Sequence, residues 1–284
     1  RRLFLIALVV ISVSTQILNA DNWGQYWEYQ RQMWWQLTWR APDIKEDTLV
    51  MTYSAAGYNP EQDYEIWGPL NLIYNPGPAK APAIQAEVLN PDTAFSIVKK
   101  DVFDNHVRDI KLHRDFNNLL LINMSPSSAC LHVVDGHLPV YPARESLLVQ
   151  QVGEYSHVDR IIPTGKSPVP PASIFGAEPA HGWCYYYEKA SLARQRGDWK
   201  EIGSLFDQIL DLNLETNDKS EMIPFLEGLV NLGRIDDAKS LYSKEIKGQA
   251  EMRFPLCVSL TKDPGYPSEF GYDFETIYDI LCKS

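Results

Sequence analysis

The sequence predicts an α+β protein in which an N-terminal transmembrane helix precedes a mixed α/β or antiparallel-sheet domain and a set of paired helices. Three observations lead to this fold class. An apolar run from Leu3 to Leu18 opens the chain, strand-like runs alternate with short helical segments between residues 41 and 149, and a glycine-centred helical pattern recurs towards the C-terminus.

Length and charge limit the functions open to the chain. Its 284 residues, 45% of them hydrophobic, suffice for two domains with buried cores. The formal net charge is -11, from 26 basic and 37 acidic residues. Nucleic-acid backbones require a basic surface, and no basic cluster occurs in the sequence, so a nucleic-acid partner is disfavoured.

The apolar N-terminal run is either a signal peptide or a transmembrane helix. A signal-peptidase site ending at Ala20 would place the large Leu18 where a small residue is needed, so cleavage there is disfavoured. As a helix the run spans about 24 Å against a hydrocarbon core of roughly 30 Å, so a few more residues must extend it. We therefore expect a transmembrane helix over residues 1–22. Arg1 and Arg2 place its N-terminal end in the cytoplasm and the bulk of the chain outside it.

Aromatic residues are concentrated directly after the apolar run, in a juxtamembrane helix predicted over residues 23–40. Indole and phenol rings combine an apolar body with a polar edge, which suits the headgroup layer of a bilayer. Two interpretations are open. The rings form an interfacial collar, or they form one stripe of an amphipathic helix that packs on the following domain. The collar residues are Trp23, Trp27, Trp34 and Trp35, and the stripe consists of Trp23, Trp27, Trp34 and Leu37.

The mixed α/β domain is predicted over residues 41–164. Strands are expected at Thr48 to Tyr53 and at Ile84 to Leu89, and Tyr64 to Tyr74 is either a helix or an irregular connection. Asn90 or Asp92 caps a short helix that ends at Lys99. Three further strand-like runs predict an antiparallel meander, and they are Val107 to His113, Asn118 to Asn123 and Cys130 to Val134.

A proline-rich linker over residues 165–180 is predicted to precede a helical domain over residues 181–284. Four prolines and two glycines in the linker exclude a regular strand ladder. In the helical domain, Gly197 and Gly233 stand 36 residues apart, and an acidic residue follows each of them to begin the next helix. We expect each glycine to lie at the turn of an antiparallel helix pair.

The second copy of this pattern resembles the second half of a tetratricopeptide repeat. It has the Gly233 turn, the small Ala238 at the helix crossing and the aromatic Tyr242 four residues later. The first copy has Ile202 at the crossing position. The resemblance implies helical hairpins that present a concave surface to partner proteins. Two hairpins are fewer than the three or so repeats of a free-standing solenoid, so they are expected to lean on the preceding domain.

Three other segments carry a second resemblance: residues 35–43 (WQLTWRAPD), residues 130–136 (CLHVVDG) and residues 181–190 (HGWCYYYEKA). They resemble the C-terminal region of uncharacterised bacterial polytopic membrane proteins related to glycosyltransferases of the dolichyl-phosphate-mannose type. This resemblance covers most of the chain after residue 20. It implies a last membrane helix followed by an external tail, with the catalytic core upstream and no catalytic residue to carry over to this chain.

Four cysteines in a chain placed outside the cytoplasm allow three disulfide pairings. We favour Cys130 with Cys184, which would tie the sheet domain to the first tail helix, and Cys257 with Cys282. Four buried or unpaired thiols are the alternative. No Cys-x-x-Cys or Cys-x-x-His spacing occurs, so a zinc site is not predicted.

No catalytic motif survives comparison with a structural explanation, and no cofactor or metal is predicted. Glycine-rich phosphate loops are absent from the sequence, and the histidines are scattered. If Cys130 and Cys184 are bridged, the groups most able to meet in a cleft between the two domains are His132, Asp135, His181 and Glu188.

Two classes of function remain open. The first is a membrane-anchored extracytoplasmic region that binds a protein partner or acts as a scaffold, without catalytic activity of its own. The second is an accessory C-terminal domain of a lipid-linked-sugar glycosyltransferase whose catalytic core lies upstream. In both, the chain sits in the cell membrane and contacts the bilayer through its N-terminal helix.

Overall fold

The computed structural model of the protein describes residues 1–53, 62–78, 81–107, 109–124, 130–138 and 145–249, together with Met252 and Cys257. It has an α+β fold, which confirms the predicted fold class. Its helices are α1 (Arg2–Arg40), α2 (Tyr64–Tyr74), α3 (Pro91–Lys99), α4 (Leu147–Val152), α5 (Ala172–Phe175), α6 (Trp183–Gln195), α7 (Trp199–Asp211), α8 (Ile223–Asn231) and α9 (Ile235–Leu241). Its strands are β1 (Asp43–Ile44), β2 (Leu49–Tyr53), β3 (Gln85–Val88), β4 (Val102–Val107), β5 (Ile110–Asp115), β6 (Leu119–Met124), β7 (Leu131–Val133) and β8 (Ile161–Ile162).

Helix α1 runs without interruption for 39 residues. The membrane helix predicted over residues 1–22 and the juxtamembrane helix predicted over residues 23–40 are therefore one element. The first half of α1 is apolar and exposed. Among the described residues, α1 is the one helix long and apolar enough to cross a membrane. Its last two turns, from Met33 to Arg40, are buried in the protein.

Two of the four tryptophans predicted at the membrane interface lie elsewhere. Trp23 and Trp27 are 70% and 48% exposed, as a collar in the headgroup layer requires. Trp34 and Trp35 are 1% and 3% exposed inside the protein, so their assignment to the interface is wrong. The reason is that α1 enters the apolar core at this point. The amphipathic-stripe interpretation thus describes the end of the helix, where Trp34 packs in the same core cluster as Leu37.

The proline-rich segment over residues 165–180 packs against this buried end of α1. The indole nitrogen of Trp35 donates to the carbonyl oxygen of Phe175 at 3.3 Å, and that of Trp39 donates to Glu178 Oε1 at 2.9 Å. One turn earlier, Arg31 Nη1 donates to the carbonyl oxygen of Ala177 at 3.3 Å. The segment is thus ordered by hydrogen bonds from α1 without forming a strand.

A four-stranded sheet in the order β3-β2-β6-β7 forms the centre of the first half of the fold. Strand β2 pairs in parallel with both β3 and β6, and β7 runs antiparallel to β6. The central strands β2 and β6 are apolar and buried almost throughout, as strands covered on both faces require. Helices α1 and α2 cover one face of the sheet, and α3 and α4 cover the other.

The antiparallel meander predicted from three consecutive strand-like runs is wrong for the first pair of runs and confirmed for the second, because β5 does not pair with β6 whereas β7 pairs with β6 antiparallel. Strand β5 pairs with β4 in a separate antiparallel hairpin, whereas β6 joins the main sheet beside β2. The side chain of Asp115 accepts from the backbone nitrogen of Asn117 at 2.9 Å, in the 3-10 turn that separates β5 from β6. Burial explains the division, because β6 is buried at every position while β4 is largely exposed.

Helices α6 to α9 form two hairpins around their own apolar core. Gly197 has a φ angle of +66° and Gly233 one of +71°, and they occupy the turns predicted for them. In each turn the next amide closes the helix by bonding to a carbonyl five residues earlier, from Asp198 to Ala193 and from Arg234 to Leu229, both at 2.9 Å. The predicted crossing residue Ala238 is 1% exposed.

The bulky Ile202 fits the crossing of α7 and α8 because the opposite helix carries a glycine. A Cβ atom at Gly228 would lie 2.3 Å from Ile202 Cγ2. The small residue at this crossing therefore belongs to α8, whereas the tetratricopeptide pattern expects it in α7. Helix α8 is buried from Ile223 to Val230, and α6 packs on α1, so these two helices of the hairpins are not available to a partner.

We predict opposite effects of alanine at two glycines that each have open space around the added Cβ. Gly197→Ala should destabilise the fold by about 1 kcal/mol, because φ is positive and nothing lies within 4 Å to add packing. Gly24→Ala, inside α1 with equally open space, should stabilise by about 0.5–1 kcal/mol. Urea unfolding measures both. A change of the same sign in the free energy of unfolding of both variants would contradict the assignment of Gly197 to a turn.

Candidate functional site

A buried polar cluster lies where the sheet meets the helical hairpins. Its members come from β7, from the segment just before α4, from α6 and from the end of α1. Two more come from the 3-10 helix over residues 219–222 and its N-cap. All of these side chains are buried or nearly so. We call this group the polar cluster, and it consists of Arg40, His132, Glu145, Glu188, Asp218 and Glu221.

The disulfide favoured from the sequence borders the polar cluster. Cys130 and Cys184 are bonded, with their Cα atoms 5.3 Å apart, across a sequence separation of 54 residues. The bond joins the residue before β7 to the first turn of α6, so it holds the two halves of the fold together at the cluster. Cys257 is also disulfide-bonded, and Cys282, its predicted partner, lies outside the described residues.

Glu221 is the centre of the polar cluster. Its Oε1 atom accepts from the backbone nitrogen of Cys130 at 2.5 Å and lies 3.4 Å from His132 Nε2. Its Oε2 atom accepts from Thr216 Oγ1 at 2.6 Å and from the indole nitrogen of Trp183. Because both oxygens have partners, the cost of burying this carboxylate is offset. Glu221 thereby connects the sheet, α6 and the segment before α8.

His132 lies between two carboxylates. Its Nδ1 atom is 2.8 Å from Glu145 Oε1, and its Nε2 atom faces Glu221. Asn123 donates to the second oxygen of Glu145, which fixes that carboxylate against the imidazole. Burial alone would lower the pKa of His132, but Tyr187 and the two carboxylates favour the charged ring and hold this pKa well above its ordinary value. The surroundings of the ring therefore favour positive charge.

Asp218 caps the 3-10 helix that carries Glu221. Its Oδ1 atom accepts from the backbone nitrogen of Ser220 at 3.0 Å and from the Ser220 hydroxyl at 2.6 Å. Residues three apart in a 3-10 helix lie on the same side, so the two acidic side chains meet. His132, Asp218 and Glu221 each offer one ligand atom, and these atoms all lie within 4.8 Å of one another.

Glu188 and Arg40 complete the polar cluster. Glu188 is 0% exposed, and neither of its carboxylate oxygens has a hydrogen-bond partner within the part of the chain that the structure describes. Burial raises the pKa of Glu188 well above its ordinary value, against the opposing charges of Arg40 and His132. Arg40 is 4% exposed and donates from Nη1 to Gln195 Oε1 at 2.7 Å. Burial therefore favours the protonated form of Glu188 over the ionised form.

Of the four side chains predicted from the sequence to meet in a cleft, two lie together. His132 and Glu188 lie in the polar cluster, next to the predicted disulfide. Asp135 sits outside it in a partly exposed turn, and His181 lies at the surface, where its ring stacks on Tyr185 at 3.6 Å between centroids. A closed group of this kind can hold protons or a small cation.

Four members of the polar cluster were not identified from the sequence, and they are Arg40, Glu145, Asp218 and Glu221. Glu145 and Glu221 stand 13 and 89 positions from His132, and no local spacing links them. The pattern from Asp218 to Glu221 reads as an ordinary helix N-terminus, because an Asp followed three residues later by Glu is a common capping arrangement. A fully buried Glu in that position is not apparent before the fold is known.

Comparisons with known proteins give no match. No protein-family model, no curated protein and no solved structure matches this chain. The two resemblances drawn from the sequence, to tetratricopeptide repeats and to the glycosyltransferase-related membrane proteins, therefore stay predictions.

We predict that the disulfide contributes substantially to stability. Replacing both Cys130 and Cys184 by alanine should lower the free energy of unfolding by about 3–4 kcal/mol, because the loop between them is long and the unfolded chain gains freedom without the bond. Urea unfolding under non-reducing conditions measures the change. An unchanged midpoint would mean that non-covalent contacts hold the two halves together without help from the bond.

We predict that Glu188→Gln stabilises the protein increasingly as pH rises. A carboxyl group with a raised pKa in the folded state contributes stability below its unfolded pKa, and this contribution is lost as pH rises towards the folded pKa. The difference between variant and wild type should grow by at most about 1.4 kcal/mol per pH unit above about pH 4.5. Thermal unfolding from pH 4.5 to 8 measures it.

Glu215→Gln, at an exposed glutamate, is the control for this substitution and should stay within about 0.5 kcal/mol of wild type at each pH. If Glu188→Gln instead loses stability at pH 8, Glu188 is ionised and serves as the counterion of Arg40.

Proposed function

We propose that this chain is a membrane-anchored protein whose folded region lies outside the cytoplasm and binds a protein partner beside the bilayer, without catalytic activity of its own. One observation carries the proposal. Helix α1 is exposed and apolar in its first half and buried in the core at its end, so the segment that enters the membrane also holds the fold together. No loop separates the anchor from the folded region.

The geometry of α1 fixes the distance between the bilayer and the fold. Met33, the first buried residue, follows the exposed Trp23 by ten positions, or about 15 Å along a helix. Each headgroup layer is roughly 5–8 Å thick. With Trp23 and Trp27 at the interface, the core begins within about 10 Å of the headgroups. A partner bound to this region is therefore held close to the membrane surface.

Two features favour an extracytoplasmic location. Arg1 and Arg2 precede the apolar run, which favours a cytoplasmic N-terminal end. The buried disulfide between Cys130 and Cys184 belongs to the oxidising compartments in which such bonds form and persist. Both features support a folded region on the outer side of the membrane.

An apolar surface on α3 and α4 supports the binding role. Phe95, Val98 and Leu147 are 68%, 54% and 75% exposed. Phe95 and Val98 are three residues apart on α3 and share one face, and α3 packs against α4. Large exposed apolar side chains in one patch are typical of protein interaction sites. We call these three residues the α3–α4 patch.

Reporter fusions test the orientation. Alkaline phosphatase fused after Ser284 should be active, and green fluorescent protein fused at the same position should be dark, because the first requires export and the second requires the cytoplasm. Replacing Arg1 and Arg2 by glutamate should reduce phosphatase activity by weakening the orienting charge. A fluorescent, phosphatase-negative chain would contradict the extracytoplasmic assignment.

Photo-crosslinking in intact cells tests the binding role. A benzoylphenylalanine probe at Phe95 should give one discrete protein adduct, whereas a probe at Gln208, exposed on α7, should not give it. Val98→Ser with Leu147→Ser should remove the adduct while leaving the melting temperature unchanged, because both side chains are largely exposed. Absence of an adduct at Phe95, or an adduct that persists in this double variant, would reject the α3–α4 patch as the binding surface.

A further inference from the structure

The polar cluster contains more acidic than basic groups. Glu145, Glu188, Asp218 and Glu221 are buried around His132 and Arg40. Buried carboxylates are stable only when they are hydrogen-bonded, protonated or compensated by positive charge. Four carboxylates therefore share the cluster with one guanidinium and one imidazole, so a bound cation would offset part of this acidic excess.

The positions of three side chains suit a metal ion. The ligand atoms of His132, Asp218 and Glu221 lie within 4.8 Å of one another, and all three residues are buried. His132 Nε2 is 3.4 Å from Glu221 Oε1. Ligands at about 2.0–2.2 Å from a tetrahedral ion are about 3.3–3.5 Å apart, so this edge already has the spacing of a coordination site. We propose that His132, Asp218 and Glu221 form a structural site for a divalent transition-metal ion, with zinc or manganese as the ions that suit one imidazole and two carboxylates.

Glu145 supplies the outer support that such a site requires. A histidine that binds a metal through one ring nitrogen usually donates from the other to a carboxylate, which fixes its orientation and tautomer. His132 Nδ1 lies 2.8 Å from Glu145 Oε1, so Nε2 is the nitrogen left to face Asp218 and Glu221. Ser220 holds Asp218 in the same way, through two hydrogen bonds to Oδ1. Two of the three ligands are thus oriented by neighbours.

Glu188 is a second observation that points to a cation. Both of its oxygens are buried without a hydrogen-bond partner in the described part of the chain, and its charge interacts with His132 and Glu221. A buried acceptor without a hydrogen-bond partner, next to His132 and Glu221, is a group that a cation bound at this site would stabilise.

Direct metal analysis tests the proposal in the full chain. The protein is refolded without reductant in the presence of zinc or manganese chloride, dialysed and examined by plasma mass spectrometry. We expect about one metal ion per chain and a melting temperature that falls on treatment with EDTA and recovers when the same ion is returned. Less than about 0.1 ion per chain with both metals would overturn the proposal.

Three variants distinguish ligands from surface groups. Asp218→Asn keeps Oδ1 as the cap of the 3-10 helix, so it should fold but lose the metal. Glu145→Gln should weaken metal binding by about 10- to 100-fold, as expected for a group that orients a ligand. His181→Asn, at a surface histidine bonded to Glu178, should keep the full metal content. Unchanged metal in folded Asp218→Asn, or loss of metal in His181→Asn, would place the ion elsewhere and overturn the assignment.

Discussion

Burial of the last two turns of α1 is the constraint on which the rest of the structure depends. The buried end of α1, from Met33 to Arg40, contacts the sheet at β7, helix α6 and the proline-rich segment. Gln36 Oε1 accepts from the backbone nitrogen of Leu131 at 2.7 Å at the edge of the sheet, and Arg40 bonds to Gln195 on α6. Burial of an aromatic or aliphatic side chain contributes about 1.5–3 kcal/mol, so this segment provides a large share of the core energy. Loss of these two turns would separate the sheet from the hairpins.

The interface between sheet and hairpins is polar, in contrast to the apolar cores on either side of it. Its stability therefore depends on complete pairing of Glu221 and His132 more than on the area buried. A disulfide borders this interface and α1 crosses it, so covalent, apolar and polar contacts coincide in one region. The orientation of the hairpins relative to the sheet is set there, and so is the point at which the exposed part of α1 leaves the folded region.

Short-range patterns in the sequence predict the local structure of this chain. Contacts between residues that are distant in sequence have no such pattern. The Asn90 cap and the turns at Gly197 and Gly233 follow from short-range backbone chemistry, and the structure has all three. The pairing of β6 with β2 and the meeting of His132 with Glu221 depend on contacts distant in sequence. Strand β6 is apolar except for Asn123 and so belongs inside a covered sheet, yet assignment from neighbouring runs alone pairs it with the strand that precedes it in the chain.

The tryptophans of α1 show why one sequence pattern supports two interpretations. A headgroup layer and a protein core both accept an apolar ring with one hydrogen-bonding edge, so composition alone does not separate Trp27 from Trp34. The neighbouring polar residues do separate them. Gln36 and Arg40 are buried among the later tryptophans, and each bonds to a distant part of the chain. In lipid these groups would lack such partners, so a polar residue interleaved with aromatics indicates the point at which a membrane helix becomes a core helix.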